Sequence, residues 1–312
     1  YAPQYNGLSY EITRFLINTV PVSVFFLVDG FLFSYKYEKR EMLNVSNYIK
    51  KSVYRLVIPW FLFSLLYVSI RYAFEVGNFF DTHFLYQKSG SEKLLVMYAS
   101  AIAPQTYFLL SLFMIRITAP LTALLLRAER RWLIVLYSVY MIGFMQYFPL
   151  LKELMPIKIG QEPFIHAIWG YHFYLTGVIL YRFRSHLTLS LLYFMLFLFP
   201  VVVVARYTYH TPLAIQILQY HYLLSLFMLF YHFANQFRVL DVFKGYTMGI
   251  YLLHIPVVMK CTAVFSNAIS HSPTLSYFLI WSLSLLIAWG LTFILKQSRL
   301  GSFALGERSY RP

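Results

Sequence analysis

The sequence predicts an all-α fold, a polytopic membrane helix bundle with about nine transmembrane helices visible. Three observations predict it. Nine apolar stretches run roughly 15–35, 53–74, 105–126, 132–148, 166–182, 187–205, 214–233, 247–269 and 276–295. Most are long enough to cross a ~30 Å hydrocarbon core at ~1.5 Å per residue. The gaps between them alternate in charge. Finally, 59% of residues are hydrophobic and 12% charged, against about 25% charged in soluble domains.

Taken in order, the gaps give an orientation. Lys36, Lys39, Arg40, Lys50, Lys51 and Arg55 lie between the first two stretches. Arg127, Arg130 and Arg131 follow the third, Arg182 and Arg184 the fifth, and Arg238 and Lys244 the seventh. Lys296, Arg299, Arg308 and Arg311 follow the last. Every second gap is therefore basic and is expected to face the cytoplasm. The other gaps hold Lys88, Lys93, Lys152, Lys158 and Arg206, diluted by Glu75, Asp81, Glu92, Glu153 and Glu162. This predicts segments 36–55 and 234–246 inside, 75–104 and 149–165 outside, and a short cytoplasmic tail over about 297–312. Tyr1 then lies outside, yet the chain lacks an initiating Met and a signal peptide. The expectation is a ten-span protein whose first helix precedes Tyr1; the alternative is a nine-span protein trimmed by a few residues.

Composition also excludes function classes. The net charge of +14 comes without a soluble module in which basic residues interleave with stacking aromatics, so no nucleic-acid partner is expected. Topology and the anionic inner leaflet explain the charge, and a basic inner face also suits an anionic cytosolic ligand. Cys261 is the single cysteine, which forbids an intramolecular disulfide. Nine histidines have no partner at ligand spacing, and no metal site is expected. The chain reads as a single domain over 1–312, without internal repeats. Its longest gaps hold little more than a short helix each, one of them an interfacial helix at Leu94–Tyr98 running towards Pro104.

The informative residues are ionisable groups inside spans, which are expensive in hydrocarbon and face the bundle interior. Asp29 lies about two turns from the inner end of the first stretch, where a carboxylate needs a cation or takes up a proton. Arg55 is its nearest candidate by topology; a buried ion pair that only joins two helices is the alternative. Arg116 lies near the middle of its stretch, which implies a hydrated or anionic cavity beside it. Arg55-Leu56-Val57-Ile58-Pro59 and Arg116-Ile117-Thr118-Ala119-Pro120 both place Pro four residues after Arg. Such a Pro offers no N–H to the arginine carbonyl and kinks the helix. His254 lies two turns into its stretch with Tyr251 one turn back on the same face. It is either a packing residue or part of a polar cavity.

Several segments together resemble the acyltransferase 3 family of membrane proteins. Phe25-Phe26-Leu27-Val28-Asp29-Gly30-Phe31-Leu32 resembles its "FFxxSGFL" segment, and Tyr54-Arg55-Leu56-Val57-Ile58-Pro59-Trp60 its "RLxxPxW" segment. Thr106-Tyr107-Phe108-Leu109-Leu110 followed by Pro120 is similar to "WFL…P", Phe173-Tyr174-Leu175-Thr176-Gly177 to "YFxxG", and Gly249-Ile250-Tyr251-Leu252-Leu253-His254 to "SxxIYLxH". They occur in order over nearly the whole chain. Departures are the family's Ser replaced by Asp29, its Trp replaced by Tyr107, and its paired arginines replaced by the differently spaced Lys51 and Arg55. The family's catalytic His belongs to a first helix that would precede Tyr1, so the fragment alone is expected to be weak or inactive.

The resemblance implies an integral membrane O-acyltransferase of a bacterial inner membrane. It would transfer an acetyl group from acetyl-CoA or another acyl-CoA to a hydroxyl of a cell-surface polysaccharide or its lipid-linked precursor. On that reading Lys51 and Arg55 hold the donor with Asp29 orienting Arg55, Arg116 supplies electrostatics, and His254 with Tyr251 lines the reacting cavity. The alternative is a transporter or flippase of the same fold, exporting a polysaccharide or small metabolite.

Overall fold

The computed structural model describes residues 8–39, 45–78, 84–100, 102, 106–154, 163–209, 212–233, 236, 238–243, 245–254, 258, 262 and 273–306. All regular structure among them is helical: α1 (Leu8–Glu38), α2 (Val45–Ser52), a π-helical turn (Val53–Val57), α3 (Ile58–Val76), α4 (Gly90–Tyr98), α5 (Tyr107–Ile117), α6 (Ala119–Arg127) and α7 (Arg130–Leu154). After these come α8 (Pro163–Arg182), α9 (Leu189–Tyr209), α10 (Pro212–Phe233), α11 (Thr247–Leu253), α12 (Pro273–Lys296) and α13 (Arg299–Ala304). Each predicted apolar stretch falls on helix, except that most of 255–269 lies outside the described residues. By length and composition, two helices among the described residues can cross a membrane, Ser46–Val76 and Leu279–Lys296. There is a third if α5 and α6 form one span, bent by 50°.

Local chemistry accounts for two departures from the expected boundaries and for the kink expected at Pro120. Lys50 and Lys51 sit on helix rather than in a loop, because α2 runs through the π-turn into α3 without a break. Pro59 cannot donate to the Arg55 carbonyl, and the turn widens there: Ile58 N–H bonds to the Val53 carbonyl, five residues back. α4 starts four residues before the expected Leu94, because Ser89 caps it. The Ser89 hydroxyl accepts from Glu92 N–H (3.3 Å) while the Glu92 carboxylate accepts from Ser89 N–H (2.8 Å). The bend between α5 and α6 arises at Pro120, and Thr118 turns both its N–H (3.0 Å) and its hydroxyl (2.7 Å) onto the Ile115 carbonyl.

The chain divides into two compact units. One comprises residues 1–43, 120–145 and 170–239; the other comprises 44–119, 146–169 and 240–312. In the first, α1 and α8 pack at backbone distance. A Cβ on Gly30 would overlap the Tyr174 carbonyl, and one on Gly177 would overlap the Leu27 carbonyl. Small residues at such crossings let helices gain dispersion contacts where lipid removes the hydrophobic drive. Phe26, Leu27, Phe173 and Tyr174 are fully buried around this crossing. By contrast, α7 and α9 expose Val139, Ile142, Phe197 and Val204, apolar surface that suits lipid.

In the second unit the C-terminal end of α3 is fixed by Glu75, which is wholly buried. Its carboxylate takes Arg71 Nε at 2.6 Å on one oxygen and the N–H groups of Leu85 (2.6 Å) and Tyr86 (2.9 Å) on the other. All its charge is thereby met by donors.

The crossing of α1 and α8 can be tested by glycine replacement. Gly177→Ala should lower the melting temperature of the detergent-solubilised protein, since overpacking costs about 1–3 kcal/mol. Gly143→Ala, where a new Cβ meets nothing within 4 Å, should leave it unchanged or raise it slightly. Equal melting for Gly177→Ala and the parent protein would contradict the packing described.

Candidate functional site

Five of the six residues singled out from the sequence, Lys51, Arg55, Arg116, Tyr251 and His254, belong to the second unit. Asp29 belongs to the first, half-buried on α1 beside Gly30.

The environment of His254 begins with a proline. Pro256 has no N–H for the Leu252 carbonyl four residues earlier. That carbonyl instead accepts the phenol of Tyr67 at 2.8 Å, with Tyr67 and Leu252 both buried. Gly249 lets α11 touch α12: a Cβ there would overlap the Thr292 side chain. Thr292 is itself held by a 2.6 Å bond from its hydroxyl to the Ala288 carbonyl. So clamped, α11 directs His254 Nδ1 to the Ile250 carbonyl at 3.0 Å. A carbonyl only accepts, so Nδ1 carries a proton, and in the neutral ring the lone pair is then on Nε2.

The Tyr251 ring lies 5.7 Å from that of His254 and meets the edge of Phe108 at 5.2 Å. Tyr107, beside Phe108 on the first turn of α5, packs on His166 at 4.2 Å between ring centroids. The first turn of α5 is itself rigidly placed. Ser64 donates to Thr106 (3.2 Å), Thr106 donates to Ser100 (3.0 Å), and all three are buried. Ser100 holds φ of 50°, a left-handed conformation uncommon outside glycine. Ser111 donates to the Pro163 carbonyl at 2.7 Å and ties the start of α8 to α5. Sequence pattern does not reveal His166 as a neighbour of Tyr107, because the contact joins two helices far apart in the chain.

The other end of α5 carries Arg116, whose guanidinium lies 5.7 Å from the centre of the Tyr48 ring, within cation–π range. Tyr48 stands on α2, one turn before Lys51 and two before Arg55; Lys51 and Arg55 are both exposed. Arg55 also meets the C-terminal segment. Gly306, at φ of 66°, sits so close that a Cβ would come within 2.9 Å of the Arg55 Cα and carbonyl oxygen. Tyr54 and Phe303 pack alongside at 5.7 Å. Arg116 thus meets α2, which also carries Lys51 and leads to Arg55, at one end of α5, while Tyr251, with His254 beside it, meets the other. From Tyr107 to Arg116 the rise is roughly 14 Å. Among the described residues no three His, Cys, Asp or Glu side chains come together as metal ligands.

The profile of the acyltransferase 3 family, described as an acyltransferase domain, matches residues 1–293. The chain belongs to the acyltransferase 3 family. The match takes in all six candidate residues, both ends of α5 and the α1–α8 crossing. It ends within α12, so Phe303 and Gly306 lie beyond it. No curated protein and no solved structure matches the chain. Family membership implies an acyl donor and an acceptor and places the chain among integral membrane proteins.

Tyr67→Phe should expose how far α11 depends on its cap. It leaves the Leu252 carbonyl unpaired where Pro256 cannot help, at about 1–3 kcal/mol. Thermal unfolding should shift downward; an unchanged midpoint would show that the cap contributes nothing.

Proposed function

We propose that this protein is a membrane-bound O-acyltransferase moving an acetyl group from cytosolic acetyl-CoA, or another acyl-CoA, to a hydroxyl of a cell-surface polysaccharide or its lipid-linked precursor. Beyond the family match, one observation carries the reading: α5 separates a cationic patch from a His–Tyr cluster within a single unit. The length of α5 between them is of the order that a pantetheine arm spans. Coenzyme A phosphates would lie on Lys51 and Arg55 with Arg116 behind them, and the thioester would reach towards Tyr251 and His254.

The chemistry then uses groups already in place. The acceptor hydroxyl donates its hydrogen bond to His254 Nε2, its oxygen attacks the thioester carbonyl, and the imidazole takes the proton. The oxyanion needs a donor, which the Tyr251 phenol can supply. Collapse breaks the C–S bond; the ester leaves on the acceptor, and the coenzyme A thiolate regains a proton from the imidazolium. In this reading Asp29 would orient Arg55.

In this reading the domain extends over 1–312 as one multi-pass unit of a bacterial inner membrane. Its nine apolar stretches act as spans, the 36–55 segment faces the cytoplasm, and the C-terminal tail from about 297 lies inside.

The test tracks labelled acetyl from acetyl-CoA into polysaccharide in membranes containing the protein. His254→Ala should reduce turnover by about 10²–10⁴-fold, the range for a general base. Lys51→Gln and Arg55→Gln should raise KM for acetyl-CoA more than they lower kcat. Full transfer by a folded His254→Ala variant would refute the proposal.

A further inference from the structure

One end of the first unit concentrates basic side chains that the proposed reaction does not use. The C-terminal turns of α1, α6 and α8 and the first turn of α7 meet there, linked by contacts among their own side chains. Arg127 Nε bonds to the Tyr37 phenol at 3.0 Å, and Arg182 bonds to the Ala128 carbonyl, also at 3.0 Å. The Arg130 guanidinium lies 5.8 Å from the centre of the Phe183 ring. Lys36 and Lys39 extend from the end of α1.

Among the described residues two acids temper this charge, and both are already committed. Glu129 pairs with Arg131 at 2.7 Å. Glu38 accepts from the Tyr181 phenol and from Arg184, which lies 3.1 Å away and also stacks 4.2 Å from the Tyr181 ring centre. The Tyr181 hydrogen bond, helped by those contacts with Arg184, holds the Glu38 carboxyl below the usual carboxylate range. Glu38 therefore stays ionised and occupies Arg184. Arg127 and Arg130 are exposed and face no carboxylate partner among the described contacts, and the Arg182 Nε–H is buried without a hydrogen-bond acceptor.

Complementing the helix C-termini explains part of this arrangement, but Arg130 stands at a helix start, where a cation is unfavourable. Beyond Arg130 and Arg131, the next turn of α7 is apolar and exposed: Trp132, Ile134, Val135 and Leu136 are each about half accessible. A guanidinium cluster thus sits directly above an apolar helix face. That is the shape and polarity of a phospholipid, with its phosphate at the top and acyl chains below.

We propose that this end of the unit is a binding site for an anionic phospholipid, with the headgroup phosphate held by Arg127, Arg130 and Arg182 and the acyl chains laid along α7. The occupant is a lipid rather than a soluble phosphate compound because the arginines continue into exposed apolar side chains instead of a polar cleft. The site is independent of acyl transfer, and its test does not require activity.

The experiment compares melting of the full chain in nanodiscs of phosphatidylcholine alone and of phosphatidylcholine containing phosphatidylglycerol. A third arm adds inorganic phosphate to the first. Phosphatidylglycerol should raise Tm by about 2–4 °C, the scale expected when a ligand binds only the folded state. Arg127→Gln/Arg130→Gln should lose most of that rise while melting like the parent in phosphatidylcholine, since both residues are exposed. Arg127→Lys/Arg130→Lys should retain part of it, because charge survives and the planar fork does not. The same rise in the Gln variant, no rise in the parent protein, or an equal rise with inorganic phosphate would each overturn the lipid site.

Discussion

Hydrocarbon offers no hydrogen bond to a carbonyl, and every proline inside a membrane helix releases one. Much of the second unit is arranged around how these carbonyls are met. Pro256 releases the Leu252 carbonyl, and Tyr67, 185 residues away along the chain, caps it. Pro59 releases the Arg55 carbonyl, and the helix widens to a π-turn with Gly306 pressed against it. Pro120 releases the Arg116 carbonyl, and the chain bends by 50° while Thr118 closes the preceding turn. In the first unit α9 continues through Pro200, and the His221 ring bonds to the Met195 carbonyl at 2.8 Å.

Those breaks are also where the chemically useful side chains stand. Arg55 and Arg116 sit on the turns that proline perturbs, and His254 lies just past the carbonyl that Tyr67 caps. Between them α5 is buried on successive residues from Phe108 to Leu112 and fixed at its first turn by the Ser64–Thr106–Ser100 chain of hydroxyls. A rigid helix with a cationic end and an imidazole end gives a long thioester donor a definite place for each of its own ends. The proposed transfer rests on that spacing.

The helical character of the chain, its apolar stretches and its family resemblance were legible because each depends on local pattern. The family-like glycines were legible as motif letters only. The structure shows why two of them matter: Gly30 and Gly177 are where α1 and α8 touch backbone to backbone. The helix through Lys50 and Lys51 was hidden because basic residues read as loop, while the π-turn that continues it depends on Pro59. The start of α4 was missed although Ser89 and Glu92 stand at capping-box spacing. Tyr48 beside Arg116, His166 beside Tyr107 and Tyr67 beneath Leu252 were beyond reach, because no sequence period reports a contact between distant helices. Asp29 and Arg55 were linked only by their depth in an assumed bilayer, which no local pattern reports.

The central claim is that α11 turns His254 Nδ1, as a donor, onto the Ile250 carbonyl, so that the neutral ring carries its lone pair on Nε2. Nitrogen NMR of the labelled protein in lipid, with His254 identified by its loss in His254→Gln, reads this directly. The structure requires a protonated Nδ1 and an Nε2 resonance of the bare, pyridine-like type. A protonated Nε2 in the resting protein would contradict it, and would remove His254 as the acceptor of the hydroxyl proton.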